Sequence, residues 1–242
     1  MRALPLLGGD AVDIQLHYTE TGTGEPLILL HGNGEDGSYF VHQTAFFSKR
    51  YRVIAVDTRG HGRSPRGSAP FTIRQFAEDL NEFLDEHNLE QVNLLGFSDG
   101  GNIALIFAMR YPGRVKRLIL NGANLDPAGV KAGVQIPIVL GWHAASLFAK
   151  RSTAAKQNAE MLGLMVNDPM IPVEELGKVS SPTLVIAGTK DMIRKDHTEK
   201  IARALPNARL VFLPGDHFIA NKNPEAFNRA VEDFLTGTGG KG

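Results

Sequence analysis

The sequence predicts an α/β protein with a doubly wound, mostly parallel sheet. The main observation is that short apolar runs alternate with longer amphipathic segments, as buried strands alternate with crossover helices. The second is composition: 242 residues with 43% hydrophobic and 21% charged side chains suit a globular protein of one domain, not a disordered chain.

The strands are predicted from apolar runs of three or four residues, the length of a buried strand core. The six buried candidates are Leu27–Leu30, Val53–Val56, Val92–Leu95, Leu118–Leu120, Leu184–Ala187 and Leu210–Leu213. Ahead of them, Val12–Tyr18 alternates apolar and polar residues, which predicts a half-exposed edge strand.

Helices are expected between these strands. The candidates are Ser38–Lys49, Thr72–His87, Gly100–Tyr111, Lys195–Leu205 and Pro224–Leu235. The second places six apolar residues on one face at helical spacing, namely Ile73, Phe76, Ala77, Leu80, Phe83 and Leu84. Residues 124–178 break the alternation: they predict two helices, Ile138–Lys150 and Thr153–Val166, in a small insertion over a core of residues 1–123 and 179–242.

Charge and cysteine content exclude several classes of function. The 26 basic and 26 acidic residues balance, which gives no electrostatic reason to expect nucleic acid or a membrane as a partner. Without cysteine the chain has no disulfide, thiolate nucleophile, cysteine-ligated zinc or iron–sulfur cluster. The spacing of the histidines matches no metal-binding motif, so we expect neither metal nor cofactor.

The sequence also predicts a cytoplasmic location. The apolar run near the first residue is too short for a signal peptide, and no segment approaches the roughly 20 apolar residues that span a bilayer. The expected partner is a small-molecule substrate, and the sequence leaves the oligomeric state open.

The strongest chemical signal is Gly96-Phe97-Ser98-Asp99-Gly100, between the strand at Val92–Leu95 and an apolar helix. This is the G-x-S-x-G nucleophile elbow in its required strand–turn–helix context. A serine turned outward there needs a strained backbone, and side chains at the flanking positions would clash. We therefore predict Ser98 as a nucleophile, with no metal involved.

A serine nucleophile needs a base and an orienting acid, which follow it in the order acid, then histidine. Asp191 and His217 each follow a predicted strand and should open on the same sheet edge as Ser98. Asp126 is a rival acid, and Asp216 is expected to be a loop residue. The sensible expectation for the histidines on helices or edges is a solvated or core role; these are His17, His42, His87, His143 and His197.

The oxyanion of a tetrahedral intermediate needs hydrogen-bond donors. The strand at Leu27–Leu30 runs into the glycine-rich turn His31-Gly32-Asn33-Gly34, whose backbone can approach a substrate closely. We expect the backbone N–H groups of Asn33 and Asp99 to be those donors. Further pocket candidates are His31, Gly32 and Gly34 in the turn, with Trp142 and Met165 in the insertion, although the last two suit a packed helix pair equally well.

Together these segments resemble the α/β-hydrolase superfamily over nearly the whole chain except the insertion. The four that carry the resemblance are His31–Gly34, Asp57-Thr58-Arg59-Gly60-His61-Gly62-Arg63-Ser64, the Ser98 elbow, and the loops of Asp191 and His217. The second is similar to the family's D-x-R-G-H-G-x-S turn, which shapes the crossing from strand to helix. The insertion then corresponds to a short helical cap after the sixth strand, which implies a fairly open site.

The resemblance implies a serine hydrolase that needs no cofactor, similar to small esterases and aminoacyl-ester hydrolases. Lactone or carbon–carbon bond hydrolysis by the same triad is the alternative, and a non-catalytic binding member of the fold is a further one. Asp99 invites a specific hypothesis: its carboxylate, with Glu35 and Asp36 nearby, could hold a cationic substrate group such as an α-amine. The competing interpretation is that Asp99 caps a helix while Glu35 and Asp36 face water.

Overall fold

A computed structural model describes residues 13–237. Its strands form one seven-stranded sheet in the order β1-β3-β2-β4-β5-β6-β7. β1 runs antiparallel to β3, and all other neighbours are parallel, which confirms the predicted sheet. The strands are β1 Tyr18–Thr21, β2 Glu25–Leu30, β3 Tyr51–Val56, β4 Val92–Phe97, β5 Val115–Asn121, β6 Thr183–Gly188 and β7 Ala208–Leu213.

Helices cover both faces of the sheet and divide the core into two apolar clusters. One cluster joins the sheet to α2, α3 and α6, and the other joins it to α1, α7 and α8. In residues 13–237 the α-helices are α1 Val41–Phe47, α2 Ile73–Glu86, α3 Asp99–Arg110, α4 Ala132–Phe148, α5 Thr153–Asn167, α6 Lys195–Ala204, α7 Ile219–Lys222 and α8 Pro224–Thr236. All six predicted apolar positions of α2 are buried.

All six predicted buried strands lie inside observed strands, but the predicted edge strand at Val12–Tyr18 is wrong. The edge strand is β1, which begins at Tyr18, and Val12 lies outside the described residues. The chain before it is tied to the loop after β3: the His17 carbonyl accepts from the Asp57 N–H at 2.9 Å. The His17 N–H donates to Ser64 Oγ at 2.8 Å. Alternation alone could not distinguish these loop contacts from a sheet ladder.

Two details of the predicted insertion also need correction. The insertion follows the fifth strand of residues 13–237 rather than the sixth, since it lies between β5 and β6. Its first helix, α4, begins at Ala132, six residues before the predicted Ile138, and continues through Pro137. The first turn of α4 is fixed by the Lys131 carbonyl, which accepts from the N–H groups of Val134 at 2.9 Å and Gln135 at 3.0 Å. No helix in the described range is long and apolar enough to cross a bilayer.

Buried hydrogen bonds fix the conformation of the D-x-R-G-H-G-x-S loop, which follows β3. Arg59 is fully buried and binds Asp79 through two hydrogen bonds, Nε to Oδ2 at 2.7 Å and Nη2 to Oδ1 at 2.6 Å. Arg59 also reaches Asp13 Oδ1 at 2.6 Å. Asp57 accepts from the Gly37 N–H at 2.8 Å and the Arg63 N–H at 2.9 Å. These bonds fix the crossing from β3 to α2.

Replacing Arg59 by methionine is expected to destabilise the fold by about 3–5 kcal/mol, because the Asp79 carboxylate stays buried without its partner. Urea unfolding measures this loss. Arg52→Met is the matched control, since Arg52 binds Glu20 through two 2.8 Å hydrogen bonds but both side chains are about a third exposed. That variant should lose about 1 kcal/mol or less. An equal loss of unfolding free energy in both variants would contradict the stabilising role given to the buried Arg59–Asp79 pair.

Candidate active site

The G-x-S-x-G segment forms a sharp turn between β4 and α3 that carries the half-buried Ser98. Ser98 has φ +54° and ψ −120°, a conformation that a residue with a side chain adopts only under strain. The two glycines are required by space. A methyl group added at Gly96 would lie 2.1 Å from the Gly100 carbonyl oxygen, and one added at Gly100 would lie 2.1 Å from the Leu30 carbonyl oxygen. The Ser98 N–H anchors the turn to the Asn121 carbonyl at 2.8 Å.

His217 and Asp191, from the loops after β7 and β6, meet Ser98 at the carboxyl edge of the sheet. His217 Nε2 lies 3.0 Å from Ser98 Oγ, and His217 Nδ1 lies 2.7 Å from Asp191 Oδ1. Because a carboxylate can only accept, Nδ1–H donates to Asp191 and Nε2 is free to accept from the serine hydroxyl. Asp191 Oδ1 also accepts from the Ile193 N–H at 2.9 Å, and Lys131 Nζ donates to the Asp191 carbonyl at 2.6 Å.

The rival acids are bound elsewhere. Asp126 accepts from the Gly129 N–H at 3.2 Å and caps a short 3₁₀ turn. Asp216 pairs with Lys222 at 2.5 Å. Asp191 therefore makes the carboxylate contact to His217. Five other histidines make no hydrogen bond to Ser98 within residues 13–237. His17 binds Asp57, His87 donates to a helix carbonyl, His197 accepts from the Leu125 N–H, and His42 and His143 are exposed.

Gly122, just after β5, is a site residue that the sequence analysis missed. It has φ +65°, and a methyl group there would lie 2.6 Å from His217 Cε1. On another side of the imidazole, the Phe97 ring centroid lies 4.8 Å away and is itself stacked on Tyr39 at 4.4 Å. The His217 ring is therefore held by packing as well as by Asp191. The available signal was a glycine at the carboxyl end of a predicted strand.

The turn after β2 is stabilised by two hydrogen bonds between Glu35 and Gly32. Glu35 Oε2 accepts from the Gly32 N–H at 3.1 Å, and the Glu35 N–H donates back to the Gly32 carbonyl at 3.3 Å. Burial raises the pKa of Glu35 to about 7. Within residues 13–237 the backbone N–H of Asn33 donates no hydrogen bond. The N–H of Asp99 heads α3, where first-turn donors have no partner within the helix.

Three of the expected pocket residues have other contacts. His31 is buried, Nδ1 donates to the Gly32 carbonyl at 2.7 Å and Nε2 accepts from the Thr58 N–H at 3.0 Å, so no ring nitrogen is left for a substrate. Trp142 is half-buried against Gly163, and Met165 is half-buried with its carbonyl bound by Gln135 Nε2 at 3.0 Å.

These two contacts lie within the α4–α5 pair. The insertion touches the turn after β2 through Asn33 Nδ2, which donates to the Met161 carbonyl at 2.8 Å. Gly32 in the same turn is buried and Gly34 is exposed.

Asp99 is a buried carboxyl next to Ser98. It is 8% exposed, and none of the ion pairs within residues 13–237 includes it. Asn102 Nδ2 donates to Oδ1 over a long 3.4 Å, and the Asn33 side chain lies alongside. Burial raises the pKa of Asp99 to about 6, because removal from water penalises the charged form. At neutral pH the site thus holds a buried negative charge without a matching cation.

Asp99→Asn is expected to stabilise the protein above pH 6 and to change it little near pH 4. Since the pKa of Asp99 is raised from 3.8 to about 6 on folding, ionisation costs stability as the pH rises through that window. The gain in the variant should approach about 3 kcal/mol at pH 7.5. Urea unfolding at both pH values measures it, with the exposed Asp233→Asn as control. A gain independent of pH would contradict this account of Asp99.

Comparison with known proteins agrees with this geometry. The family model described as the alpha/beta hydrolase fold matches residues 25–143. The serine hydrolase BPHL of Mus musculus is 29% identical over 247 residues, covering 92% of this chain and 83% of that protein. The (E)-2-((N-methylformamido)methylene)succinate hydrolase of Acinetobacter baylyi is 27% identical, covering 92% and 94%.

Solved structures extend the likeness to three dimensions. The enol-lactonase from Burkholderia xenovorans LB400 superposes with a TM-score of 0.78 at 25% identity, covering 92% of this chain and 97% of that one. The similarity thus includes the insertion as well as the sheet. The matched family model, the hydrolase relatives and the seven-stranded sheet with its serine turn lead to one conclusion: this chain is an enzyme with the α/β-hydrolase fold.

Proposed function

We propose that the protein is a serine hydrolase that cleaves a small carboxylic ester through an acyl-enzyme. The observation that carries the proposal is the continuous hydrogen-bonded chain from Ser98 Oγ to His217 at 3.0 Å and on to Asp191 at 2.7 Å. The strained φ of Ser98 supports it, because strain of this kind is typical of functional turns.

In the proposed mechanism, Ser98 Oγ attacks the ester carbonyl while its proton passes to His217 Nε2. Asp191 stabilises the imidazolium that forms and holds the ring in the tautomer with Nδ1 protonated. The backbone N–H groups of Asn33 and Asp99 donate to the oxyanion, and the N-terminus of α3 adds its positive dipole end. Collapse breaks the ester C–O bond, and His217 gives its proton to the leaving alcohol. Water then hydrolyses the acyl-enzyme by the same route in reverse, so these groups need no cofactor.

A burst experiment tests this proposal. With a chromogenic aryl ester in excess, acylation should release a burst of phenol equal to the enzyme concentration, followed by slower steady turnover. A panel of acyl lengths then defines the pocket. The alternative function is lactone hydrolysis, which the structural likeness to an enol-lactonase supports. A higher kcat/KM on lactones than on matched open-chain esters would favour it. No turnover of any ester or lactone would favour a non-catalytic role.

We further propose that Asp99 favours substrates with a cationic group close to the scissile carbonyl. Its support is the buried carboxyl beside Ser98 that lacks an ion-pair partner within residues 13–237. Glu35 and Asp36 lie on the turn opposite, and Glu35 is half-buried. A bound ammonium would give the Asp99 charge the partner that the folded chain does not supply.

Matched esters with and without an α-amine test this specificity. The amino ester should have a kcat/KM at least about tenfold higher, and Asp99→Asn should reduce this preference while leaving the uncharged ester nearly unaffected. Equal kcat/KM values for the pair, or the same loss on both esters in Asp99→Asn, would refute a cation site. Asp216→Asn is the matched control, because Asp216 is already paired with Lys222.

A further inference from the structure

The outer face of α4, defined here as Ile136, Leu140, Leu147 and Phe148, exposes large apolar side chains. Their exposed fractions are 58%, 64%, 78% and 58%. None of the 17 residues of α4 is buried. Only Val41, Met170 and Phe218 are comparable among the large apolar residues of the described chain. An apolar patch of this kind on a folded protein marks a surface that contacts something other than water.

The charge around α4 is one-sided. Residues 132–149 contain no charged side chain, and residues 127–159 contain no Asp or Glu but four cations, Lys131, Lys150, Arg151 and Lys156. Since the whole chain is neutral, this segment of charge +4 is balanced by −4 elsewhere.

The cations at the C-terminal end of α4 are also unpaired. Lys150, Arg151 and Lys156 are exposed and take part in no ion pair within residues 13–237. Basic side chains without internal partners remain available to an external anion.

We propose that the outer face of α4 docks on an anionic lipid surface. The apolar side chains would enter the boundary between headgroups and acyl chains, while Lys150, Arg151 and Lys156 lie at the level of the phosphates. Neither feature alone would select this occupant. Their combination does, because the surface must accept apolar groups and negative charge together.

A second copy of the chain fits this face less well. In a two-fold symmetric dimer the same patch faces itself, and residues 127–159 of the second copy contain no Asp or Glu that could pair with Lys150, Arg151 and Lys156. The proposal also replaces the expectation, based on whole-chain charge, that no membrane is a partner. A net charge of zero averages over the cationic segment 127–159 and the rest of the chain.

Binding to lipid vesicles tests the proposal directly. The full-length protein is titrated with vesicles of phosphatidylglycerol and phosphatidylcholine, or of phosphatidylcholine alone, and binding is followed by sedimentation. We expect a partition coefficient at least about tenfold higher on the anionic vesicles, falling with salt.

Two variants separate the contributions of the face. Leu140→Asp combined with Leu147→Asp should lower partition at least tenfold, and Lys150→Gln combined with Arg151→Gln should remove most of the preference for anionic vesicles. Val41→Asp is the matched control: Val41 is 59% exposed but lies on α1, so this charge should leave partition unchanged. Circular dichroism confirms that each variant is folded.

Several results would overturn the proposal. They are no binding to anionic vesicles, equal binding to both vesicle types, or binding that the two α4 variants do not reduce. A dimer at micromolar concentration that Leu140→Asp with Leu147→Asp converts to monomer would assign the face to a second copy instead. All of these readouts are independent of ester hydrolysis, so failure here leaves the proposed chemistry standing.

Discussion

Ser98→Ala is expected to lower kcat for ester hydrolysis by about 10⁴-fold or more while the fold persists. The variant loses the hydroxyl oxygen that lies 3.0 Å from His217 Nε2. His217→Ala should cause a loss of similar size, because without a base the serine hydroxyl is a weak nucleophile. Combining the two should add almost nothing, since both residues act in one step. Steady-state kinetics on a good aryl ester measures all three.

The unfolding midpoint of each variant provides the check on structure. Alanine should leave the turn intact, since the positive φ at Ser98 strains every residue that has a Cβ atom, serine and alanine alike. Ser180→Ala, at an exposed serine outside the site, should retain full activity. A Ser98→Ala enzyme within about tenfold of the parent would remove Ser98 from the chemistry, and additive losses in the double variant would separate it from His217.

Asp191→Asn is expected to reduce kcat by about 10⁴-fold, the size of the corresponding loss in the general serine triad. An amide can donate to His217 Nδ1, which would stabilise the tautomer that carries its proton on Nε2 and cannot accept from Ser98. The 2.7 Å contact to Nδ1 is the geometric basis for this expectation. The variant should retain its fold, because Asn preserves the shape of the side chain.

The rival carboxylates supply the controls for this second prediction. Asp126→Asn and Asp216→Asn should each stay within about tenfold of the parent, since Asp126 caps a 3₁₀ turn and Asp216 pairs with Lys222. If Asp126→Asn proved the more damaging change, the orienting acid would be misassigned.

Local chemistry explains how much of this site could be predicted from sequence. The serine turn depends on close backbone approach at Gly96 and Gly100, and both glycines sit within two residues of Ser98. The strands that carry Asp191 and His217 are short apolar runs, which fixes the sheet edge at which their loops open. These features need no knowledge of distant contacts.

Features that depend on contacts between distant parts of the chain were harder to predict from the sequence. The ring of His31 is held by Thr58, and Gly122 matters because His217, 95 positions later, packs on it. The segment before Tyr18 alternates like a strand but bonds to Ser64. Whole-chain neutrality likewise hid the cationic segment 127–159, because a sum of charges contains no positions.

Intact-mass analysis after treatment with a fluorophosphonate, on the parent and on Ser98→Ala, should be made first. This reagent phosphonylates only a serine that is activated by a base and faces oxyanion donors. We expect one adduct on the parent and none on Ser98→Ala. An unlabelled, folded parent would show that Ser98, His217 and Asp191 are not assembled for catalysis, and an adduct that persists in Ser98→Ala would place the nucleophile elsewhere.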